Sequence, residues 1–193
     1  AGKVTNSHKG VFDGFAVTTF AAGSTELYDW LDGNDTVRFL PVDVVNSPEN
    51  IGRNREMITI NGAISVDLAG QVIADTMGGQ QFSGIGGHED FIAGAGLELS
   101  DRSLICLPST SWVAREDTAG DDGRELTSRI LPRLPDGAVV TTPRHQVDVV
   151  ITEFGVAELQ GLTIRERARA LAAIGHPDFR EELEAIAEVW PQD

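Results

Sequence analysis

The apolar residues of this chain come in short runs, each closed within a few residues by a glycine, a proline or a charged side chain. That punctuation, 21 Gly and 8 Pro in 193 residues, divides the chain into candidate strands and short helices. Phe15–Phe20 is rich in β-branched and aromatic residues and reads as a strand, as does Val37–Pro41. Met57–Asn61 and Ala63–Leu68, broken by Gly62, are further apolar runs, and Ser103–Leu107, Ala138–Thr142 and Val147–Thr152 are further strand candidates. Between them lie helix signals. Ser24 is a candidate cap for a helix carrying Leu27, Tyr28 and Leu31 at helical spacing, ended by Gly33 and Asn34, and Ser47-Pro48 reads as a cap with proline in the first turn. Thr163-Ile164-Arg165-Glu166 has the pattern of a capping box, followed by Ile164, Ala168, Leu171 and Ile174 on one face. Gly175 closes that helix, and Pro177 and Asp178 open another with Phe179, Leu183, Ile186 and Trp190 on its apolar side. Strands separated by helices predict an α/β domain, with a mostly parallel sheet flanked by helices and antiparallel pairing allowed at its edges.

Composition narrows the function. With 41% hydrophobic and 23% charged residues the chain is globular, and its length fits one domain without a disulfide or metal staple. A formal net charge of −15 repels phosphate backbones and anionic lipid, so no nucleic-acid or membrane partner is expected. No stretch reaches the roughly 18 consecutive apolar residues of a spanning helix. The single cysteine, Cys106, excludes a disulfide framework and favours a reducing, cytoplasmic setting. His8, His88, His145 and His176 are scattered without ligand spacing, so no metal site is expected. Ser109 and Ser111 lack the context of a hydrolase elbow. The polar, acidic segment Asp117–Gly123 reads as a surface loop, since its carboxylates do not alternate as a calcium loop requires.

Three segments carry chemical interest. Ser83-Gly84-Ile85-Gly86-Gly87-His88-Glu89-Asp90-Phe91 places three glycines in four positions, where successive amides can converge on an anion, aided by a helix beginning near His88. A tight turn between Phe82 and Phe91 is the alternative. Asn61–Val72 reads as strand, turn, strand, with Ser65 and Asp67 on one face and Ile64, Val66 and Leu68 on the other, as in a half-exposed strand. Thr142-Pro143-Arg144-His145 could present a cation to an anionic ligand, or be a plain loop.

Taken in order, Met57–Gln71, the glycine segment, Leu107–Thr110, Ser128–Ile130, Val140–Arg144, Val150–Ala157 and His176–Arg180 resemble the C-terminal domain of the acetyl-CoA hydrolase/transferase family, which includes acetate and 4-hydroxybutyrate CoA-transferases. The resemblance covers nearly the whole chain. It implies a CoA-transferase-type domain that works with an N-terminal domain lying outside this chain, in the same protein or a partner subunit. Residues 1–193 would be most of the second domain, as a fragment, a processed piece or a separate subunit, and the assembly a homo-oligomer, with a dimer expected. The implied substrates are coenzyme A thioesters, acetyl-CoA or another short acyl-CoA, and a small carboxylic acid, as in acetate metabolism. No permanently bound cofactor is expected.

In the family's transferases a glutamate attacks the thioester, passing through an acyl-glutamyl anhydride and a glutamyl-CoA thioester. By the resemblance, Gly84, Ile85, Gly86 and Gly87 would line the CoA site, with the Gly86 amide facing the developing oxyanion. The glutamate position falls on Ser65 in Ile64-Ser65-Val66-Asp67-Leu68. A serine cannot form the anhydride, and it could form an acyl ester only with a base to activate it. The resemblance implies an acyl-CoA hydrolase or CoA-transferase, acting with the N-terminal domain that lies outside this chain. The alternative is a catalytically impaired CoA-binding module that has lost its nucleophile.

Overall fold

The computed structural model describes residues 4–95, 99–114 and 123–190. The chain divides into two compact units, Ala1–Thr59 with Asp90–Arg102 and Ile60–Glu89 with Ser103–Asp193.

In the first unit, β1 (Ala16–Thr18) and β2 (Val37–Phe39) pair in parallel across α1 (Thr25–Leu31). The Ser24 hydroxyl caps α1 by accepting from the Leu27 amide, as its position before the apolar run dictates. The short helices α2 (Val42–Val45) and α3 (Pro48–Gly52) follow, the latter capped by Ser47 with Pro48 in its first turn. Ile51 is buried, and a side chain at Gly94 would collide with it, so glycine is what permits that close approach.

The boundaries between the units fall within β3 (Ile58–Gly62), α4 (His88–Gly94) and β8 (Arg102–Cys106). Of the remaining strands, the first four are β4 (Ser65–Asp67), β5 (Val72–Ile73), β6 (Thr76–Met77) and β7 (Gln80–Gln81). They are followed by β9 (Thr110–Ala114), β10 (Arg124–Ser128), β11 (Ile130–Leu131), β12 (Val149–Thr152) and β13 (Gly155–Glu158), then by helices α5 (Ile164–Ala173) and α6 (Pro177–Glu188). A four-stranded sheet runs in the order β13-β12-β8-β3, parallel between β12 and β8 and antiparallel between β12 and β13. A three-stranded sheet runs β11-β4-β5, parallel on one side of β4 and antiparallel on the other. The architecture is α/β as expected, with mixed pairing rather than one mostly parallel sheet: β1–β2, β4–β11 and β8–β12 are parallel, while β4–β5, β6–β7, β9–β10 and β12–β13 are antiparallel.

Both C-terminal helices follow the sequence pattern. Thr163 and Glu166 form the reciprocal capping box of α5, whose Ala168 and Leu171 are fully buried. Leu183 and Ala187 of α6 are buried, while Phe179 and Ile186 are half-buried.

Two expectations need correction. Ala138–Thr142 does not join Ser103–Leu107 and Val147–Thr152 in one sheet: it forms no strand, and only Thr142 makes a bridge, to Val72 of β5. Gly137, in the left-handed region at φ 76, precedes the segment, and Pro143, which has no amide hydrogen, follows it, so the pairing stops after one bridge. Nor is Ser65–Asp67 half-exposed. Its three residues are all buried, although they alternate between the two faces of the strand, and β4 is the central strand of its sheet, paired along both edges. Of the acidic loop Asp117–Gly123, all but Gly123 lies outside the described residues.

Candidate functional site

The second unit contains the segments singled out from the sequence, the glycine segment as far as Glu89, and hydrogen bonds connect them. Asp67, at the end of β4, folds the chain back on itself. Its Oδ1 accepts from the amides of Ala69 (3.0 Å) and Gln71 (2.8 Å), and its Oδ2 accepts from the Gln71 side-chain amide (2.7 Å). Gly70, at φ 91, makes that reversal possible and delivers the chain into β5. Ser65, the first residue of β4, thereby pairs with Ile73.

Two residues beyond Ile73, the carbonyl of Asp75 accepts from the amides of Phe82 (2.8 Å) and Ser83 (3.2 Å). This anchors the chain just before the glycine loop on the same edge. Gly84, Ile85 and Gly86 are exposed, and Gly86 adopts φ 59. Among the described residues, the amides of Gly84, Ile85, Gly86 and Gly87 make no hydrogen bond in a turn or loop. A Cβ built on Gly84 or Gly86 meets nothing within 4 Å. The loop is therefore a turn open to solvent with donors to spare, the state an anion-binding nest requires.

Beyond the loop, His88 is buried, and burial holds its imidazole below the usual pKa against the opposing pull of Glu89 and Asp75. Its Nε2 lies 2.9 Å from the Thr142 hydroxyl, which itself donates to Glu89. Since the Thr142 proton is committed to a carboxylate, the oxygen accepts from His88, whose Nε2 therefore carries a proton. His88 is engaged away from Ser65. Among the described residues no hydrogen bond joins the Ser65 hydroxyl to a base, so nothing there makes it a nucleophile.

A further path runs from β4 the other way. The Val66 amide donates to the Arg129 carbonyl (2.9 Å), the Arg129 amide to the Ser109 carbonyl (2.8 Å), and the Ser109 amide to Glu153 Oε2 (2.8 Å). The fully buried Ser109 also donates its hydroxyl to Glu153 Oε1 (2.6 Å). Burial raises the Glu153 pKa, but the hydrogen bonds from Ser109 and from the backbone outweigh it, and the net shift is downward. The result is an exposed, ionised carboxylate clamped at the carboxyl end of β12. It lines an open hollow of about 450 Å³ with Cys106, Leu107, Pro108, Ile151 and Thr152. The carboxyl end of parallel strands is where α/β sheets present ligand sites. Sequence reasoning passed over this pair, because Ser109 and Glu153 are 44 residues apart and neither belongs to a recognisable nucleophile motif.

Among the described residues, no cluster of three His, Cys, Asp or Glu side chains could hold a metal ion, and no helix is long and apolar enough to cross a membrane.

The α/β fold, with its sheets flanked by helices, is that of a CoA-transferase domain. The fold superposes on the crystal structure of RipA from Yersinia pestis with a TM-score of 0.81 at 38% identity, covering 97% of this chain and 40% of that one. The chain belongs to the acetyl-CoA hydrolase/transferase family: residues 23–187 match the family's C-terminal domain. It is 45% identical over 183 residues to the 4-hydroxybutyrate coenzyme A transferase of Clostridium kluyveri. It is 43% identical over 187 residues to the succinyl-CoA:cyclohexane-1-carboxylate CoA transferase of Geobacter metallireducens. These alignments cover 95% and 97% of this chain but 40% of each relative, so the chain spans about two-fifths of the length of the curated relatives it matches.

Proposed function

We propose that the protein containing this chain transfers coenzyme A between a short acyl-CoA and a small carboxylic acid, and that this domain supplies the glycine loop facing the thioester. The observation that carries the reading is the state of Gly84–Gly87: exposed from Gly84 to Gly86, turned by a left-handed Gly86, and with its four amides unengaged in turns or loops among the described residues. Such amides stabilise negative charge as it develops on a thioester oxygen, and the three glycines, having no side chains, let the acyl group approach the backbone. The names of the relatives described above, both CoA transferases, favour transfer over hydrolysis. The catalytic unit would join this domain to the family's N-terminal domain, in the same protein or a partner subunit, as a homodimer. The free thiol of Cys106 suits a reducing cytoplasm.

Ser65 is not the nucleophile in this reading. It occupies a buried strand position with no base hydrogen-bonded to its hydroxyl among the described residues, and the carboxylate that carries the acyl group would come from elsewhere in the complete protein. A second reading, a CoA-binding module without turnover, is favoured by that same observation.

The test incubates the complete protein with acetyl-CoA, with and without acetate or succinate. Transfer predicts new acyl-CoA only when an acceptor acid is present. Free CoA released at an equal rate without acceptor would mean a hydrolase, and no turnover with retained CoA binding would mean a binding module. Gly84→Ala adds a methyl where the protein leaves open space, so a loss of CoA affinity in that variant reports contact with the ligand itself. Ser65→Ala should lose little activity.

A further inference from the structure

We infer that the consecutive threonines Thr141 and Thr142 form a two-point clamp that positions both ends of the glycine loop. The inference rests on the reading that this loop faces the acyl-CoA. Each threonine grips one flank of the loop through its hydroxyl, and both are fastened by backbone bonds to the same residue of β5.

The fastening is to Val72. The Val72 amide donates to the Thr142 carbonyl (3.0 Å), and the amides of Thr141 (2.8 Å) and Thr142 (3.2 Å) both donate to the Val72 carbonyl. Val72 pairs with Val66 of β4, so the two threonines are tied to the strand that carries Ser65. Thr142 is fully buried.

On the entry side, the Thr141 hydroxyl donates to Asp75 Oδ1 and accepts from the Ala74 amide (2.8 Å). It thereby holds the Asp75 peptide, whose carbonyl grips Phe82 and Ser83 directly before Gly84. On the exit side, the Thr142 hydroxyl donates to Glu89 and accepts from His88 Nε2–H, the two residues directly after Gly87. At Gly84 and Gly86 no neighbouring group holds the loop's shape, since nothing lies within 4 Å of a Cβ at either position. Its geometry is therefore set at its ends. Preorganised amides stabilise a developing charge only if they are already in place when it appears, and the clamp is what keeps them there. Thr141 and Thr142 touch no reacting atom in this scheme, and neither do His88 and Glu89. They act through the loop.

The test uses the complete protein and two matched pairs of variants. Thr142→Val keeps the shape and removes the hydroxyl, while Thr142→Ser keeps the hydroxyl. His88→Leu removes the donor to Thr142, while His88→Gln offers a side-chain amide in its place. Thr142→Val and His88→Leu should lower kcat about tenfold, the order expected for one lost buried hydrogen bond, with KM for the acceptor acid unchanged. Thr142→Ser and His88→Gln should recover most of the loss. A merely structural role would move thermal stability without this split between kcat and the acceptor KM, and without recovery. Wild-type kcat within twofold in Thr142→Val overturns the clamp. If Thr142→Val does not fold, the His88 pair decides in the same way. Gly84→Ala separates the two levels of the argument. If it weakens CoA binding while the clamp variants are normal, only the clamp fails. If it leaves CoA binding intact, the loop reading itself fails.

Discussion

Two glycine turns lie within twenty residues of each other in the second unit, and they are opposites. The turn at Leu68–Gly70 is buried and saturated. Asp67 takes three hydrogen bonds on its carboxylate, the Gly70 amide donates to the Asp67 carbonyl (2.8 Å), and the Asp67 amide donates to the Gln71 carbonyl (3.0 Å). The turn at Gly84–Gly87 is exposed over its first three residues, and its amides make no turn or loop bond among the described residues. Both need a glycine in the left-handed region, Gly70 at φ 91 and Gly86 at φ 59. Glycine content therefore does not distinguish a structural turn from a binding loop. What distinguishes them is where the backbone donors go: inward to a carboxylate in one, free for a ligand in the other.

Variants can break that contrast. The largest effect should come from Asp67→Ala, which strands three donors at a buried site. We expect a loss of about 3 kcal/mol or more in denaturant unfolding, with Asp67→Asn recovering part of it. Gly70→Ala comes next. Its Cβ would sit 3.3 Å from Arg167 Nη1 and 3.5 Å from Leu159 Cδ1 in a conformation that L-residues rarely adopt. A cost of roughly 2 kcal/mol in stability should follow, with CoA affinity unchanged. Gly86→Ala should do the reverse. Its φ is close to the ordinary left-handed minimum and its surroundings are open, so stability should fall by only about 1 kcal/mol, while CoA affinity and kcat fall clearly. Equal kinetic losses in Gly70→Ala and Gly86→Ala would erase the distinction between the turns.

The smallest effect concerns pH. Burial lowers the His88 pKa in the folded state below the ordinary value of about 6.5. Between those two values the unfolded chain binds a proton that the folded chain does not, so stability rises with pH across that window. Acidification should begin to destabilise the domain near pH ~6.5, and this loss should be complete once the pH is below the folded value. Above the window His88 contributes no slope. His88→Gln, which does not titrate, should show a flatter acid limb in thermal unfolding measured against pH. An unchanged limb would mean that His88 is not the group responsible.

How much of this was legible beforehand depends on sequence separation. The caps of α1, α3 and α5 were readable because each is made within three or four residues: Ser24 with Leu27, Ser47 with Asn50, Thr163 with Glu166. The strand-turn-strand at Asn61–Val72 and the turn at Gly84–Gly87 were readable for the same reason. The polar alternation of Ser65 and Asp67 misled, since Asp67 faces its own turn rather than solvent. Ala138–Thr142 looked like a sheet strand, but its apolar residues are followed by two threonines whose hydroxyls are used for tertiary bonds and by a proline that ends the pairing.

The sequence by itself determined the α/β class, the helix ends and the presence of a glycine-rich loop, because short-range periodicity, capping and turn chemistry are written in neighbouring residues. Tertiary structure decided which residues act on that loop. Thr142 meets Glu89 across 53 residues, Thr141 meets Asp75 across 66, and Ser109 meets Glu153 across 44. No local pattern specifies such pairs. They exist because β5 passes beside Thr141–Thr142 and because β8 and β12 run in parallel with their carboxyl ends together, and only a folded chain brings those ends within hydrogen-bonding distance.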